Sequence, residues 1–270
     1  MGSVITPSGQ RLRFEEDGQG PPLLMLHGWA MASAAMAPLA KRLAAGHRVI
    51  RYDLRGHGGS AAAPTATVDD HAADLVALAA AIPIERGLVV AWSLGVQVLL
   101  RALPSLGRRV AGAVLVAGTP RFTCADDWPH GLPARQVDVL AARFRRDPAR
   151  TRGRFLADLL TPGEREAFGS DRLAALDAAM PLPDEGAALA GLDQLATADL
   201  RGELAAVDLP VLLLHGEADP ICPAGASRAA AAAIPGARLS LLQGAGHAPF
   251  LTREEETVAA ILAFARERGA

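Results

Sequence analysis

Ala91-Trp92-Ser93-Leu94-Gly95 sets a serine between an apolar run and a helix-forming stretch, with small residues two positions either side. A sharp strand-to-helix turn brings backbones into near contact there, and it pushes the serine hydroxyl outward in front of the helix's amino end. A hydroxyl becomes a nucleophile only beside a base, and the base works only when a third group orients it. Asp219 follows the apolar run Val211–Leu214 through His215-Gly216-Glu217-Ala218, and His247 follows Leu239–Leu242 through Gly244-Ala245-Gly246. Taken singly, Asp219 reads as a helix cap and His247 as a turn residue. Together they give the chain order Ser, Asp, His, each just past a strand end, where parallel strands bring side chains to one edge. The chemistry would be acyl transfer. Its oxyanion needs donors, expected from the backbone N–H of Leu94 and that of Trp29 in the turn after Leu23–Leu26, whose indole would wall the pocket.

The elements that must position these residues are legible as continuous apolar runs: Leu23–Leu26, Val49–Leu54, Leu88–Trp92, Val110–Ala117, Val211–Leu214 and Leu239–Leu242, separated by alanine-rich helical stretches. Such runs suit strands buried on both faces, so the pattern predicts an α/β fold with a mostly parallel sheet and helices on either side. Val4–Glu16, with Ser8-Gly9 at its centre, reads as an opening hairpin. From Arg121 to Asp184 the strand rhythm stops, and Pro129, Pro133, Pro148, Pro162, Pro181 and Pro183 punctuate short helical pieces. The expected organisation is a core of residues 1–120 and 185–270 with a helical lid inserted at 121–184.

Composition narrows the alternatives. The chain has 270 residues, 50% hydrophobic and 21% charged, with a net charge of -2. That is too apolar for disorder, and no apolar run is long enough for a membrane-spanning helix. The near-neutral balance gives no chain-wide attraction to nucleic acid or an anionic membrane. The polar start, Met1–Gly20, lacks an apolar signal core, and Cys124 and Cys222 read as two reduced thiols, so a cytoplasmic location is expected. His71 and His215 lack partners at metal-ligand spacing, and Gly56, Gly58 and Gly59 have no phosphate-loop lysine beside them; neither metal nor cofactor is expected. Nothing demands more than a monomer. Lys41 is the only lysine, and in the stretch of the insertion from Arg143 to Arg154, Arg143, Arg145, Arg146, Arg150, Arg152 and Arg154 stand against one acid, Asp147. A net of -2 therefore hides a local basic excess.

His27-Gly28-Trp29, Asp53-x-Arg55-Gly56-x-Gly58-x-Ser60, the serine turn and Gly246-His247 together resemble the α/β-hydrolase superfamily over essentially the whole chain. Within it the chain is most similar to the pimeloyl-[acyl-carrier-protein] methyl ester esterase family of biotin synthesis. The residues that carry this are His27–Met31, Trp92–Gly95, Thr119–Phe122 with Trp128-Pro129, Arg154–Ala157, Met180–Pro183 and His247–Phe250. Ala91 and Val96 stand where that family usually has glycine. The resemblance implies hydrolysis of a methyl-capped pimeloyl chain carried on acyl carrier protein. It also implies that Trp29, Ser93, Leu94, His247 and the stretch Phe155, Leu156, Ala157, Asp158 and Leu159 line the substrate channel. Arg150 and Arg154, one helical turn apart, match basic positions that receive the acidic carrier, with Arg172 farther along. Two other readings share the scaffold: a general carboxylesterase or C–C bond hydrolase with the same triad, and a non-catalytic receptor, against which an intact triad speaks.

Overall fold

A computed structural model of the chain describes residues 1–269. Eight strands form one sheet: β1 (Gly2–Ile5), β2 (Arg11–Asp17), β3 (Pro22–Leu26), β4 (Arg48–Tyr52), β5 (Gly87–Trp92), β6 (Val110–Val116), β7 (Val211–Gly216) and β8 (Arg238–Leu242). Their spatial order is β1-β2-β4-β3-β5-β6-β7-β8. The β1–β2 hairpin is antiparallel, as is the β2–β4 pairing, and every pairing from β4 to β8 is parallel. The helices are α1 (Ala37–Leu43), α2 (Val68–Ala81), α3 (Leu94–Leu106), α4 (Ala134–Arg146), α5 (Pro148–Asp158), α6 (Pro162–Phe168), α7 (Ser170–Ala178), α8 (Glu185–Thr197), α9 (Ala224–Ala233), α10 (Pro249–Thr252) and α11 (Glu254–Arg268).

The sheet divides the core by strand alternation. Leu24, Leu26, Val89, Ala91 and Leu115 pack with Leu75 and Leu78 of α2 and Leu99 and Leu103 of α3. Their neighbours Leu23, Met25, Val90, Trp92 and Val114 face Leu39 of α1 and Ile261 and Phe264 of α11 on the opposite side. Both faces are therefore dry, which is why the strands read as unbroken apolar runs rather than as alternating ones.

The inserted helices, α4–α8, straddle the carboxyl edge of the sheet. Val137 and Phe144 of α4 and Ala188, Leu192 and Leu195 of α8 join the first core, while Leu156 of α5 and Phe168 of α6 join the second. The last of these helices lies C-terminal to Asp184 and packs against α4. Thr161 and Glu164 start α6 with a reciprocal capping box, and Asp147 caps α5, so two helices of the proline-broken segment have side-chain partners at their amino ends. Arg152 is only 5% exposed. Its guanidinium donates to Asp177 and to the carbonyls of Met180 and Pro181, so this member of the arginine run is an internal tie of the lid. No helix among the described residues is long and apolar enough to cross a membrane.

Candidate active site

Ser93 occupies the turn between β5 and α3 with φ 55° and ψ -117°, a left-handed conformation rare for a residue with a side chain. Its N–H donates to the Val116 carbonyl at 3.0 Å, and α3 begins at the next residue. The turn is crowded: a Cβ at Gly95 would lie 3.0 Å from the His27 carbonyl oxygen and from Leu26 Cβ. Ala91 fits, fully buried in the sheet. Val96 fits because Gly118 faces it, where a Cβ would stand 2.3 Å from Val96 Cγ2. The bulk added at one backbone approach is thus matched by its absence at another.

The three candidate residues meet at the sheet's carboxyl edge. The Ser93 hydroxyl lies 2.8 Å from His247 Nε2, and His247 Nδ1 lies 2.7 Å from Asp219 Oδ2. Since the ionised carboxylate only accepts, Nδ1 carries the proton and Nε2 is free to take one from serine. Asp219 Oδ1 accepts the N–H groups of Ile221 and Cys222, each at 2.8 Å. Burial alone would raise its pKa, but His247 and His215 beside it hold the carboxyl well below the usual carboxylate range. His247 is fully buried, whereas Ser93 is partly open.

The lid helps to hold the base. The His247 N–H donates to the Leu159 carbonyl at 2.7 Å, and the preceding N–H, that of Gly246, donates to Glu164 Oε2 at 2.8 Å. From below, the Trp92 indole N–H donates to the His247 carbonyl at 2.9 Å, and Phe250 packs edge-on against that indole. Glu164, Trp92 and His215 were not singled out for these roles by sequence reasoning. Only the Thr161-x-x-Glu164 spacing signals anything, and it signals a helix start.

The Asp53–Ser60 motif is structural. Asp53 accepts the N–H groups of Ser33 (2.7 Å) and Gly59 (2.9 Å), tying its own turn to the loop that follows Trp29. Burial opposes its charge, yet His27 and these N–H donors keep its carboxyl below the ordinary range. Arg55 binds Asp74 of α2 through two hydrogen bonds, at 2.6 and 2.7 Å. His27 accepts the Leu54 N–H at 3.0 Å, fixing the loop that carries Gly28 and Trp29.

The other expected residues are distributed as follows. Trp29 is buried; its indole N–H donates to the Ala188 carbonyl of α8 at 2.7 Å, and its ring meets those of Phe155 (4.9 Å) and Phe144 (5.6 Å) edge-on. Among the described residues, no protein acceptor takes the backbone N–H of Trp29 or of Leu94. A helix turns consecutive residues to different sides. Accordingly Phe155 and Asp158 line surface grooves, Ala157 is half-buried, and Leu156 and Leu159 point into the core beneath α5. Arg150 and Arg154 are exposed and line one groove with Arg143 and Arg146 of α4. Arg172, on α7, lies over the Phe168 ring at 4.1 Å and is not among the residues of that groove.

A strained serine, held by an imidazole that a buried carboxylate orients at the carboxyl edge of a parallel sheet, defines a serine ester hydrolase. The chain belongs to the α/β-hydrolase fold family, whose sequence pattern matches residues 21–254. It is 38% identical over 249 residues (92% of this chain and 96% of the relative) to a pimeloyl-[acyl-carrier protein] methyl ester esterase of Nitrosomonas europaea. It is 36% identical over 254 residues, 93% and 97% of the two chains, to one of Xylella fastidiosa. Among solved structures, the esterase EaEST from Exiguobacterium antarcticum superposes with a TM-score of 0.89 at 24% identity, covering 98% of this chain and all of that one. A thermophilic esterase from Thermogutta terrifontis gives 0.86 at 25% identity, covering 100% and 99%.

Proposed function

We propose that the protein hydrolyses the methyl ester of a pimeloyl chain carried on acyl carrier protein, a step of biotin synthesis. The observation that carries this reading is the 38% identity to an esterase of that name over 92% of the chain. The lid surface agrees with it. A groove of about 430 Å³ between α4 and α5 is lined by Arg143, Arg146, Arg150 and Arg154. It adjoins a second, of about 420 Å³, where Phe122, Leu132, Leu140 and Ile221 present apolar surface beside the loop that carries Asp219. Phe155 borders both grooves and touches Trp29. An anionic carrier outside and an acyl chain inside are the occupants such surfaces suit.

In this mechanism Ser93 Oγ attacks the ester carbonyl as His247 Nε2 takes its proton. The N–H groups of Leu94 and Trp29 stabilise the oxyanion, worth roughly 3 kcal/mol per donor. His247 returns the proton to the departing oxygen, and methanol leaves. Water then attacks the acyl-serine, giving its proton to His247; the acyl–oxygen bond breaks, Ser93 recovers its proton and the free acid departs.

The test is complementation. Expression of the chain should restore growth without biotin to a bacterium lacking its own pimeloyl methyl ester esterase, and the Ser93→Ala variant should not. A folded chain that cleaves small esters yet fails to rescue would assign the triad to another ester. For the carrier, R150E/R154E should raise KM for the carrier-linked ester roughly tenfold at low salt while leaving p-nitrophenyl butyrate unaffected. Equal effects on the two substrates would remove these arginines from docking.

A further inference from the structure

The carboxylate that orients His247 is shared with a second buried imidazole. His215, the penultimate residue of β7, is fully buried, and its Nε2 lies 3.1 Å from Asp219 Oδ2, the same oxygen that receives His247 Nδ1–H. That nitrogen also lies 2.8 Å from the Cys222 carbonyl, with which it makes its hydrogen bond. On the other side of the ring, Nδ1 lies 2.6 Å from the hydroxyl of Ser227 on α9, itself 1% exposed. Two acceptors crowd Nε2, so that nitrogen carries the proton. Ser227 then donates to Nδ1 and fixes this tautomer.

We infer that His215, locked by Ser227, is a positioning residue that tunes the triad through Asp219 Oδ2. Given to the Cys222 carbonyl, its N–H still places positive partial charge 3.1 Å from the oxygen on which the His247 imidazolium depends. By binding the Cys222 carbonyl it also braces the turn whose Ile221 and Cys222 N–H groups hold Oδ1. The titratable groups facing Asp219 are His247 from the loop after β8, His215 from β7 and the Cys222 thiol. Burial and the carboxylate push that thiol well above its ordinary value, so it stays neutral. His215 is thus the remaining group, besides His247, whose loss changes the charge felt at Oδ2. The inference rests on the triad alone and does not depend on a carrier-linked substrate.

The experiment is the pH dependence of kcat/KM for p-nitrophenyl butyrate, whose acidic limb reports the free-enzyme base. His215→Leu removes the polarised N–H that lies 3.1 Å from Oδ2 and leaves that oxygen facing a single imidazole. The acidic midpoint should rise by about half to one pH unit. His215→Gln can place an amide N–H near the position of Nε2 and should bring the midpoint back toward wild type. Ser227→Ala keeps the ring but frees its tautomer, and should shift the midpoint in the same direction by less; it decides the question should the leucine variant not fold. Midpoints coincident with wild type in the folded variants, whether or not the rate falls, would overturn the inference and leave His215 a packing residue.

Discussion

Replacing Glu164 with alanine removes one carboxylate that accepts three donors: the Thr161 N–H at 3.0 Å, the Gly246 N–H at 2.8 Å and the Thr252 hydroxyl. Thr161 starts α6 and can turn to water for a partner. Gly246 is buried, so its N–H would be orphaned, and an unsatisfied buried donor costs about 1–3 kcal/mol. With the lost charge-assisted bonds the expected destabilisation is about 3 kcal/mol, which for a chain of this size lowers Tm by roughly 5 °C. The same change loosens the residue preceding His247, so kcat/KM for p-nitrophenyl butyrate should fall about tenfold, or ~1.4 kcal/mol of transition-state stabilisation. Glu164→Gln is the control. Its amide oxygen can still accept both N–H groups while its NH2 faces the Thr252 oxygen, so it should stay within about 1 kcal/mol of wild type. Thermal melts and initial rates on the three proteins suffice. An alanine variant that melts within a degree of wild type, or alanine and glutamine variants that behave alike, would refute the view that the lid clamps the base through this carboxylate.

Gly118→Ala should destabilise by about 2 kcal/mol, because its Cβ would stand 2.3 Å from Val96 Cγ2, and Val96→Gly should rescue it; additive losses in the double variant would contradict the pairing. Burial and the neighbouring His27 lower the His57 pKa from 6.5 to about 4, and burial with His57 and Arg55 nearby takes His71 to about 3. Below pH 6.5 the unfolded chain therefore binds protons that the folded chain refuses. Stability is full above that pH and falls toward pH 4, by at most about 1.4 kcal/mol per pH unit for each ring. Urea midpoints between pH 7.5 and 4.5 should decline in wild type and less steeply in His57→Asn; a flat profile across that window would contradict the assignment.

The parts legible in the sequence are those that local pattern encodes. Unbroken apolar runs located the strands because the sheet is buried on both faces, and Ser93, Asp219 and His247 stood out because each follows such a run. What escaped reading depends on contacts between distant positions. Glu164 bonds Gly246 across 82 residues, although its local spacing announces only a helix start. Arg152 sits in an arginine-rich stretch of otherwise solvent-facing guanidinia, and only the fold of α7 around it shows that it points inward. Val96 looks like crowding at the serine turn until Gly118, 22 positions on, is found facing it. Along Phe155–Leu159 the fold decides which side chain faces where: Phe155 and Asp158 line surface grooves, while Leu156 and Leu159 join the core.

Ser93, activated by His247, is the residue expected to act as the nucleophile. Incubation with a fluorophosphonate followed by peptide mass spectrometry tests it most directly. A single covalent adduct should appear on the peptide containing Ser93, lost in Ser93→Ala and strongly slowed in His247→Ala. An unlabelled wild-type protein, or an adduct that survives the Ser93 substitution, would contradict it.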